Sequence, residues 1–361
     1  MDLITVDFET YYDKDFSLRK MTTESYIRDP RFEVIGVGVK VNNGDTEWAS
    51  GTHEDIKRYL HTFDWENSVL LAHNTLFDGA ILSWLFDVHA RIYTDTLCIA
   101  RALHGVEVGG SLAALATRYG IGEKGTEVLD ALGKRREDFT ESELDKYGDY
   151  CVNDVELTYK LFNRMGKGFP KGELRLIDCT LRTFVEPILE LDLGLLEHHL
   201  ENTKQLKEDL ITSSGVTKKE LMSNPKFAAL LEKRGVIPPM KISLTTDKQT
   251  YAFAKNDEQF KALLDHPDPY VQTLVASRLG TKSTLEEART ERFIGIAKRG
   301  LMPVPIRYYA AHTGRWGGDD KINIQNLPSR GVNGKKLKNS MLAPEGYMMV
   351  DCDSSQIEAR V

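Results

Sequence analysis

The sequence predicts an α/β domain followed by a mainly helical region. Apolar and β-branched runs that are typical of strands lie at residues 3–10, 32–41, 46–49, 69–72 and 92–93. Asn43-Gly44, between the second and third runs, is a strong signal for a hairpin turn. A strand-rich opening that passes into alternating helices indicates an α/β fold.

Helical spacing of apolar residues predicts the remaining elements. In the first half, helices are expected at 53–62 and 78–86, and the pattern then stays mostly helical to residue 161. In the second half, helices are expected at 173–213, 219–233, 257–264 and 268–298. The apolar stripe of the first of these is mostly core packing.

Length and charge indicate more than one domain. A chain of 361 residues is longer than the ~250–300 residues at which single cores stop growing, so we expect two or three domains. Residues 1–160 carry 17 Lys and Arg against 29 Asp and Glu, whereas residues 161–361 carry 30 against 25. An acidic half and a basic half suggest two roles, the second of which is compatible with nucleic acid.

Several classes of protein are excluded by composition. No apolar run reaches the ~18 residues of a membrane helix, and the N-terminus lacks a basic region ahead of an apolar stretch. The four cysteines lie far apart without a C-x-x-C pair, which excludes a zinc ribbon and suggests reduced thiols. We therefore expect a cytoplasmic protein that makes no use of a membrane.

Five residues form a pattern with chemical meaning. Asp7 and Glu9 are separated by a single residue, which places both carboxylates on one face of a strand. Such a pair alone is most often a solvated strand end. Asp78, however, follows a buried strand at the start of a helix, and Tyr150 and Asp154 lie four residues apart on one helix face.

Together these motifs resemble a known family. The order D-x-E, N-x-x-x-D and Y-x-x-x-D is similar to the three motifs of the DEDD 3′–5′ exonucleases of the tyrosine subtype, as in the proofreading domain of bacterial DNA polymerase I. The resemblance implies an RNase H-like exonuclease domain over residues 1–165, with a mixed sheet flanked by helices. It implies two Mg²⁺ or Mn²⁺ ions, which suit a set of hard carboxylate oxygens. It also implies a catalytic set of Asp7, Glu9, Asp78, Tyr150 and Asp154.

The same resemblance implies individual roles. Asp7 would bridge both ions, Glu9 and Asp154 would complete one of them, and Asp78 would act partly through water. Tyr150 would orient the attacking water by a hydrogen bond, which a phenol can do without ionising.

Three neighbouring residues are open to structural interpretations. Asn74 falls where the family has a residue near the substrate terminus, but a helix N-cap fits it equally well. His73 is interpreted as structural. Asp95 is interpreted as a helix N-cap or a strand-end turn, because no motif position requires it.

The second half carries a segment suited to DNA. Residues 311–340 contain six basic and two acidic residues, and their T-G-R and Q-N-L-P elements resemble the region ahead of the palm in family A DNA polymerases. Arg pairs with phosphate, and Gln and Asn can bind minor-groove acceptors that all base pairs share. The expected DNA-binding residues here are Thr313, Arg315, Gln325, Asn326 and Arg330. The helix predicted at 268–298 either exposes a solvated basic face or contacts the DNA backbone, through Arg278, Lys282, Arg289, Arg292 and Lys298.

The last residues resemble polymerase motif A of family A. In the stretch 348–360, Asp353 takes the place of the metal-binding aspartate and Glu358 that of the residue that excludes the ribose 2′-OH. The resemblance implies a helical thumb or connector over 166–300 and the beginning of an α+β palm over 301–361. The fingers helix and the motif C carboxylate have no counterpart in the 361 residues.

Our leading hypothesis is the N-terminal portion of a split, phage-type family A polymerase with a complete proofreading exonuclease. Its expected partners are single-stranded 3′ ends, primer–template duplex and a C-terminal polymerase fragment that supplies fingers and motif C. If the protein is phage-encoded, its location is the host cytoplasm. Two alternatives stay open at this point: a free-standing DEDD exoribonuclease, and a primer–template-binding assembly subunit without essential catalysis.

Overall fold

A mixed five-stranded sheet lies at the centre of the first part of the chain. The computed structural model describes residues 1–105, 108–125, 131–243, 245–282, 284–327 and 335–350. The strand order is β3-β2-β1-β4-β5; β2 pairs antiparallel with both β1 and β3, whereas β4 pairs in parallel with β1 and β5 in parallel with β4. The strands are β1 (Asp2–Thr10), β2 (Val34–Val41), β3 (Thr46–Ala49), β4 (Ser68–Ala72) and β5 (Ile92–Asp95).

Helices flank this sheet. The longest, α6, is capped by Thr140, whose hydroxyl accepts a hydrogen bond from the Glu143 amide while the Glu143 carboxylate accepts one from the Thr140 amide. The predicted fold class, a mixed sheet flanked by helices and followed by a mainly helical region, is confirmed. The helices of this part are α1 (Thr23–Ile27), α2 (His53–Leu60), α3 (Thr75–Phe86), α4 (Thr96–His104), α5 (Leu112–Tyr119), α6 (Glu141–Met165) and α7 (Lys171–Val185).

Alternation along β1 separates a core face from a polar face. Ile4, Val6 and Phe8 are buried in the main hydrophobic core, whereas Asp7 and Glu9 lie on the opposite face, against which α6 packs. That packing requires a glycine on β2. A Cβ atom at position 38 would lie 2.9 Å from Val155 Cγ2 and 3.0 Å from Cys151 Sγ, so glycine allows α6 to approach the sheet next to Asp7.

The chain divides into two compact units. The first contains residues 1–190, 299–327 and 342–350, and the second contains residues 191–298 and 335–341. The predicted domain bounds of 1–165, 166–300 and 301–361 stay a prediction. The later elements are β6 (Glu190–Leu191), α8 (Leu193–Ser214), α9 (Lys218–Met222), α10 (Asn224–Glu232), β7 (Met240–Ile242), β8 (Gln249–Tyr251), α11 (Glu258–Ala262), α12 (Pro269–Lys282), α13 (Leu285–Arg299), β9 (Ile306–Arg307), β10 (Gly317–Gly318), α14 (Lys336–Asn339) and β11 (Met341–Leu342).

Two of the predicted long helices were wrong in their extent. The helix expected at 173–213 ends at Val185 and resumes at Leu193, because Pro187 cannot donate the backbone hydrogen bond that helix continuation needs. The helix expected at 268–298 consists of α12 and α13. No helix among the described residues combines the length and the apolarity that a membrane span requires.

Arg278 on α12 corrects the expectation of a basic DNA-binding face at that position. Its side chain is fully buried and donates hydrogen bonds to the Leu221 carbonyl and to Asn224 Oδ1. The guanidinium also lies 4.5 Å and 4.8 Å from the ring centroids of Phe227 and Phe253. Arg278 is therefore a packing residue of the second unit and cannot contact a DNA backbone.

Candidate active site

The structure brings the five motif residues together in the first unit. Asp7 and Glu9 project from one face of β1, and Glu9 is buried. Asp78 lies in the first turn of α3, where its Oδ1 accepts a hydrogen bond of 3.1 Å from the Phe8 amide of β1. This hydrogen bond holds the Asp78 carboxylate beside the part of β1 that carries Asp7 and Glu9.

Helix α6 supplies the other two members. Tyr150 and Asp154 are both buried, one turn apart on the helix face that packs against the sheet. Lys124, on the loop that follows α5, forms an ion pair with Asp154 Oδ2. The other oxygen, Asp154 Oδ1, is buried and has no hydrogen-bond partner within the described part of the chain.

Burial raises the pKa values of three acidic residues, Asp7, Glu9 and Asp78, and repulsion by the charge of Asp7 adds to the rise for Glu9 and Asp78. Desolvation is the largest cause for each of them. It raises the pKa of Asp7 to about 6 against the opposing charge of Lys124. The pKa of Glu9 rises to about 8, with the charge of Asp7 as the second cause, and that of Asp78 rises well above its ordinary value for the same two reasons. The cluster is therefore short of positive charge.

Three further residues lie in the cluster but do not belong to the three sequence motifs. Cys151 is buried beside Asp7, with its thiol 3.3 Å from the Asp7 carbonyl oxygen and 3.7 Å from Oδ2. Burial and the nearby charge of Glu9 raise the pKa of Tyr147. On α6, Cys151 lies one turn and Tyr147 two turns from Asp154, so helical spacing could have indicated both residues. Lys124 lies on a loop and has no such signal.

The residues present fit a divalent cation. Single ligand atoms of Asp7, Glu9 and Cys151 all lie within 4.8 Å of one another. Buried carboxylates with raised pKa values and the unpartnered Asp154 oxygen offer negative charge that a divalent cation would balance. Oxygen donors of this kind suit Mg²⁺ and Mn²⁺.

The residues around Asn74 are arranged mainly by structural bonds. Asn74 occupies the N-cap position of α3 in a left-handed conformation with φ of 80°, and its side chain makes no capping bond. The backbone amide of Asn74 instead donates a hydrogen bond to Asp95 Oδ1, which also accepts one from the backbone amide of Leu97 at the start of α4. The interpretation of Asp95 as an N-cap is confirmed. His73 bonds to Thr96 Oγ1 and the Gly110 carbonyl, which agrees with its structural interpretation.

The predicted DNA-binding residues ahead of the palm are exposed. Thr313, Arg315, Gln325 and Asn326 all lie at the surface of the first unit, in the segment 299–327. Their role in DNA binding stays a prediction. Arg330, Asp353 and Glu358 fall outside the described residues.

An ion pair with a buried carboxylate joins this segment to α1 of the same unit. Glu24 of α1 is 1% exposed, and Arg299 donates two hydrogen bonds to it, at 2.9 Å and 2.6 Å. Arg28 lies 3.4 Å from the same carboxylate and donates to the Leu301 carbonyl. Asp320 accepts hydrogen bonds from the first amides of α1.

Comparison with known families agrees with this geometry. Residues 15–169 match a family model described as 3′–5′ exonuclease. The matched range contains Asp78, Tyr150 and Asp154 and begins just after Asp7 and Glu9. The prediction of an enzyme with a nuclease domain is confirmed at this level.

Similar curated proteins are DNA polymerases. The chain is 24% identical to DNA polymerase I of Pseudomonas aeruginosa over 74% of its length and 30% of that protein. It is 25% identical to DNA polymerase I of Synechocystis over 80% of its length and 30% of that protein, and 21% identical to the DNA polymerase of Bacillus phage SP02 over 99% of its length and 56% of that protein.

A solved structure shares the fold. The polymerase (POL) domain of Pol1 from M. smegmatis, in complex with DNA primer–template and dNTP, is similar with a TM-score of 0.63 and 17% identity. The match covers 96% of this chain and 56% of that one, so the chain spans about a third to somewhat over half of the proteins it matches. Residues 15–169 thus match a 3′–5′ exonuclease family, and the chain is similar over most of its length to DNA polymerases, as its motifs predicted.

Proposed function

We propose that the chain is a divalent-metal-dependent exonuclease that shortens single-stranded DNA from its 3′ end. The observation that carries the proposal is the convergence of Asp7, Glu9, Asp78 and Asp154 at one point, with less positive charge than they need. In this proposal the activity is the proofreading function of a family A DNA polymerase used in replication, and it acts in the cytoplasm.

The side chains have distinct tasks in this proposal. A pair of Mg²⁺ or Mn²⁺ ions, when bound, supplies an activated water and stabilises the charge on the leaving 3′ oxygen. Asp7, Glu9 and Asp154 would hold the ions directly, and Asp78, which accepts a hydrogen bond from the Phe8 amide, would act partly through water. Tyr150 orients the attacking water through its phenol, which is fixed because the ring is buried on α6.

The remaining assignments belong to the same proposal. Residues 166–300 correspond to a thumb or connector and residues 301–361 to the beginning of a palm. In the palm, Asp353 would bind metal and Glu358 would select against ribonucleotides. Primer–template duplex would contact the exposed segment that carries Thr313, Arg315, Gln325 and Asn326, together with Arg330. A C-terminal fragment with fingers and motif C stays a prediction on which the described residues have no bearing.

The test is hydrolysis of a 5′-labelled single-stranded DNA with Mg²⁺ or Mn²⁺, followed by product length. We expect a ladder that shortens from the 3′ end, no reaction in EDTA, and loss of the ladder in Asp7→Ala. Asp2→Ala is the matched control, since Asp2 lies at the exposed end of the same strand, bonded to Asn42. An Asp7→Ala protein that degrades DNA like the unmodified chain would disprove the proposal.

The sugar preference is tested in parallel. Equal chain lengths of DNA and RNA are offered to the unmodified chain under the same conditions. Faster turnover of RNA than of DNA would favour the exoribonuclease alternative instead.

A further inference from the structure

Lys124 holds an unusual place in the proposed site. It is not a residue of the three exonuclease motifs, and yet its ammonium group contacts Asp154 Oδ2 and lies 4.7 Å from the ring centroid of Tyr150. The side chain of Asp154 is 3% exposed and that of Lys124 is 28% exposed. A lysine that is mostly withdrawn from water at this position makes contact with two of the five motif residues.

The charge of Lys124 reaches beyond Asp154. It also acts on Asp7 and Glu9, which project from β1 towards the same point. Four carboxylates crowded together repel one another, and in a medium of low dielectric constant one ammonium group offsets part of that repulsion. Lys124 therefore offsets, with one positive charge, part of the repulsion that divalent cations would offset more completely.

The two ends of the lysine are held differently. The Glu123 carbonyl, directly before Lys124, accepts a hydrogen bond of 2.9 Å from Asn153 Nδ2, and Asn153 is the neighbour of Asp154 on α6. The main chain is thus tied beside the carboxylate, while the long side chain lies on a loop and can change its rotamer. The four acidic residues, in contrast, are fixed on β1, α3 and α6.

We propose that Lys124 is the internal counter-ion of the cation-free exonuclease site, and that it competes with a divalent cation for Asp154. The inference rests on the proposed function, because it assumes that Asp154 is a metal ligand. Without a divalent cation, the ammonium group neutralises Asp154 and limits repulsion within the cluster. When a cation binds, Asp154 exchanges its ion pair for the cation and Lys124 turns away from the carboxylate. Lys124 is therefore a positioning residue.

The test measures Mn²⁺ binding directly, by electron paramagnetic resonance of free Mn²⁺ at constant pH and ionic strength, without DNA. Lys124→Met removes the charge but keeps most of the side-chain volume. We expect it to bind Mn²⁺ about tenfold more tightly, because one positive charge near the ligand no longer opposes the cation. In EDTA the same variant should melt at a lower temperature than the unmodified chain.

A matched control exists in the same unit. Lys134 lies 2.7 Å from Glu143 Oε1 and 5.2 Å from the ring centroid of Phe139, so it has the same kinds of contact as Lys124 but outside the cluster. Lys134→Met should leave Mn²⁺ affinity unchanged. Lys124→Gln, which keeps a donor for Asp154 without the charge, should tighten Mn²⁺ binding as Lys124→Met does and serves if the latter does not fold.

The competition itself is tested in a second background. In Asp154→Asn, where no carboxylate remains for the ion pair, adding Lys124→Met should change Mn²⁺ affinity much less than in the unmodified chain. Unchanged or weaker Mn²⁺ binding in the Lys124 variants would overturn the inference and leave the exonuclease proposal intact. Absence of Mn²⁺ binding by the unmodified chain would overturn both, whereas loss of DNA hydrolysis alone would concern only the proposed function.

Discussion

Two buried groups of acidic residues in the first unit are balanced in different ways. Glu24 is almost completely inaccessible to water, and two arginines of the protein, Arg299 and Arg28, neutralise it. In the cluster, Glu9, Asp78 and Asp154 are buried and Asp7 is partly buried, and among the described residues Lys124 is the one cation in ion-pair contact with these carboxylates. The charge of Glu24 is thus balanced within the protein, whereas the carboxylates of the cluster carry more negative charge than Lys124 can balance.

The difference indicates how a structural ion pair can be distinguished from a cation-binding site. Burying a charge is costly unless it is paired, so a fold that leaves several carboxylates underpaired must be compensated from outside the chain. For Glu24 the compensation holds residues 299–301 against α1. For the cluster it would come from divalent cations in the proposed reaction. Changes to the two groups should therefore have opposite consequences.

The largest effect is expected at Asp78. Asp78→Asn keeps the shape of the side chain but removes a charge from the cluster, so metal-dependent hydrolysis of single-stranded DNA should fall by at least about a thousandfold. In EDTA the same variant should melt at an equal or higher temperature, because repulsion with Asp7 is relieved. Asp87→Asn, at the exposed C-terminal end of the same helix, is the control. Nearly normal hydrolysis by Asp78→Asn would contradict the comparison.

The opposite result is expected at Glu24. Glu24→Gln leaves two arginines without their carboxylate, and we expect a loss of about 2–4 kcal/mol in the free energy of unfolding. Urea unfolding followed by tryptophan fluorescence measures it, since Trp48, Trp65, Trp84 and Trp316 all lie in the first unit. Without urea, DNA hydrolysis should stay at the level of the unmodified chain. A loss of hydrolysis without a loss of stability would mean that Glu24 belongs to the site.

The pH dependence of the cation-free protein is the next effect in size. The folded chain keeps protons on Asp7 up to about pH 6 and on Glu9 up to about pH 8, whereas the unfolded chain releases them near pH 4. Because the folded state binds more protons between these values, its stability falls as pH rises through them. Melting temperatures in EDTA should decrease from pH 5 to pH 8, and less so in Glu9→Gln. With Mn²⁺ present the decrease should be smaller, and a rise in EDTA over this range would contradict the assignment.

The sequence alone was sufficient wherever local periodicity decides the geometry. Asp7 and Glu9 could be placed on one face because a strand repeats every two residues, and Tyr150 and Asp154 because a helix repeats every 3.6. Asp78 could be placed at a strand end because the helix that carries it follows β4 directly.

Contacts between distant segments could not be predicted in this way. Lys124 reaches Asp154 through the path of a loop, and Glu24 meets Arg299 across 275 residues, so neither pair has a periodic signal. Arg278 was misjudged for a related reason. An arginine on a helix usually reaches solvent, and only the fold shows that carbonyl, amide and aromatic partners enclose this one.

The smallest effect is expected at Arg315, which is proposed to contact the DNA duplex. Arg315 is exposed in the segment tied down by the Glu24 pair, and in our proposal its partner is a DNA phosphate. Arg315→Ala should weaken primer–template binding by about threefold to tenfold, and it should reduce the slope of log affinity against log salt concentration by about one. Hydrolysis of short single-stranded DNA should not change, because the residue is not part of the carboxylate cluster. Lys338→Ala, in α14 of the second unit, is a control for the general loss of one positive charge. If the two variants lower the salt slope equally, Arg315 contributes only to the overall charge, and the proposed contact with a DNA phosphate is contradicted.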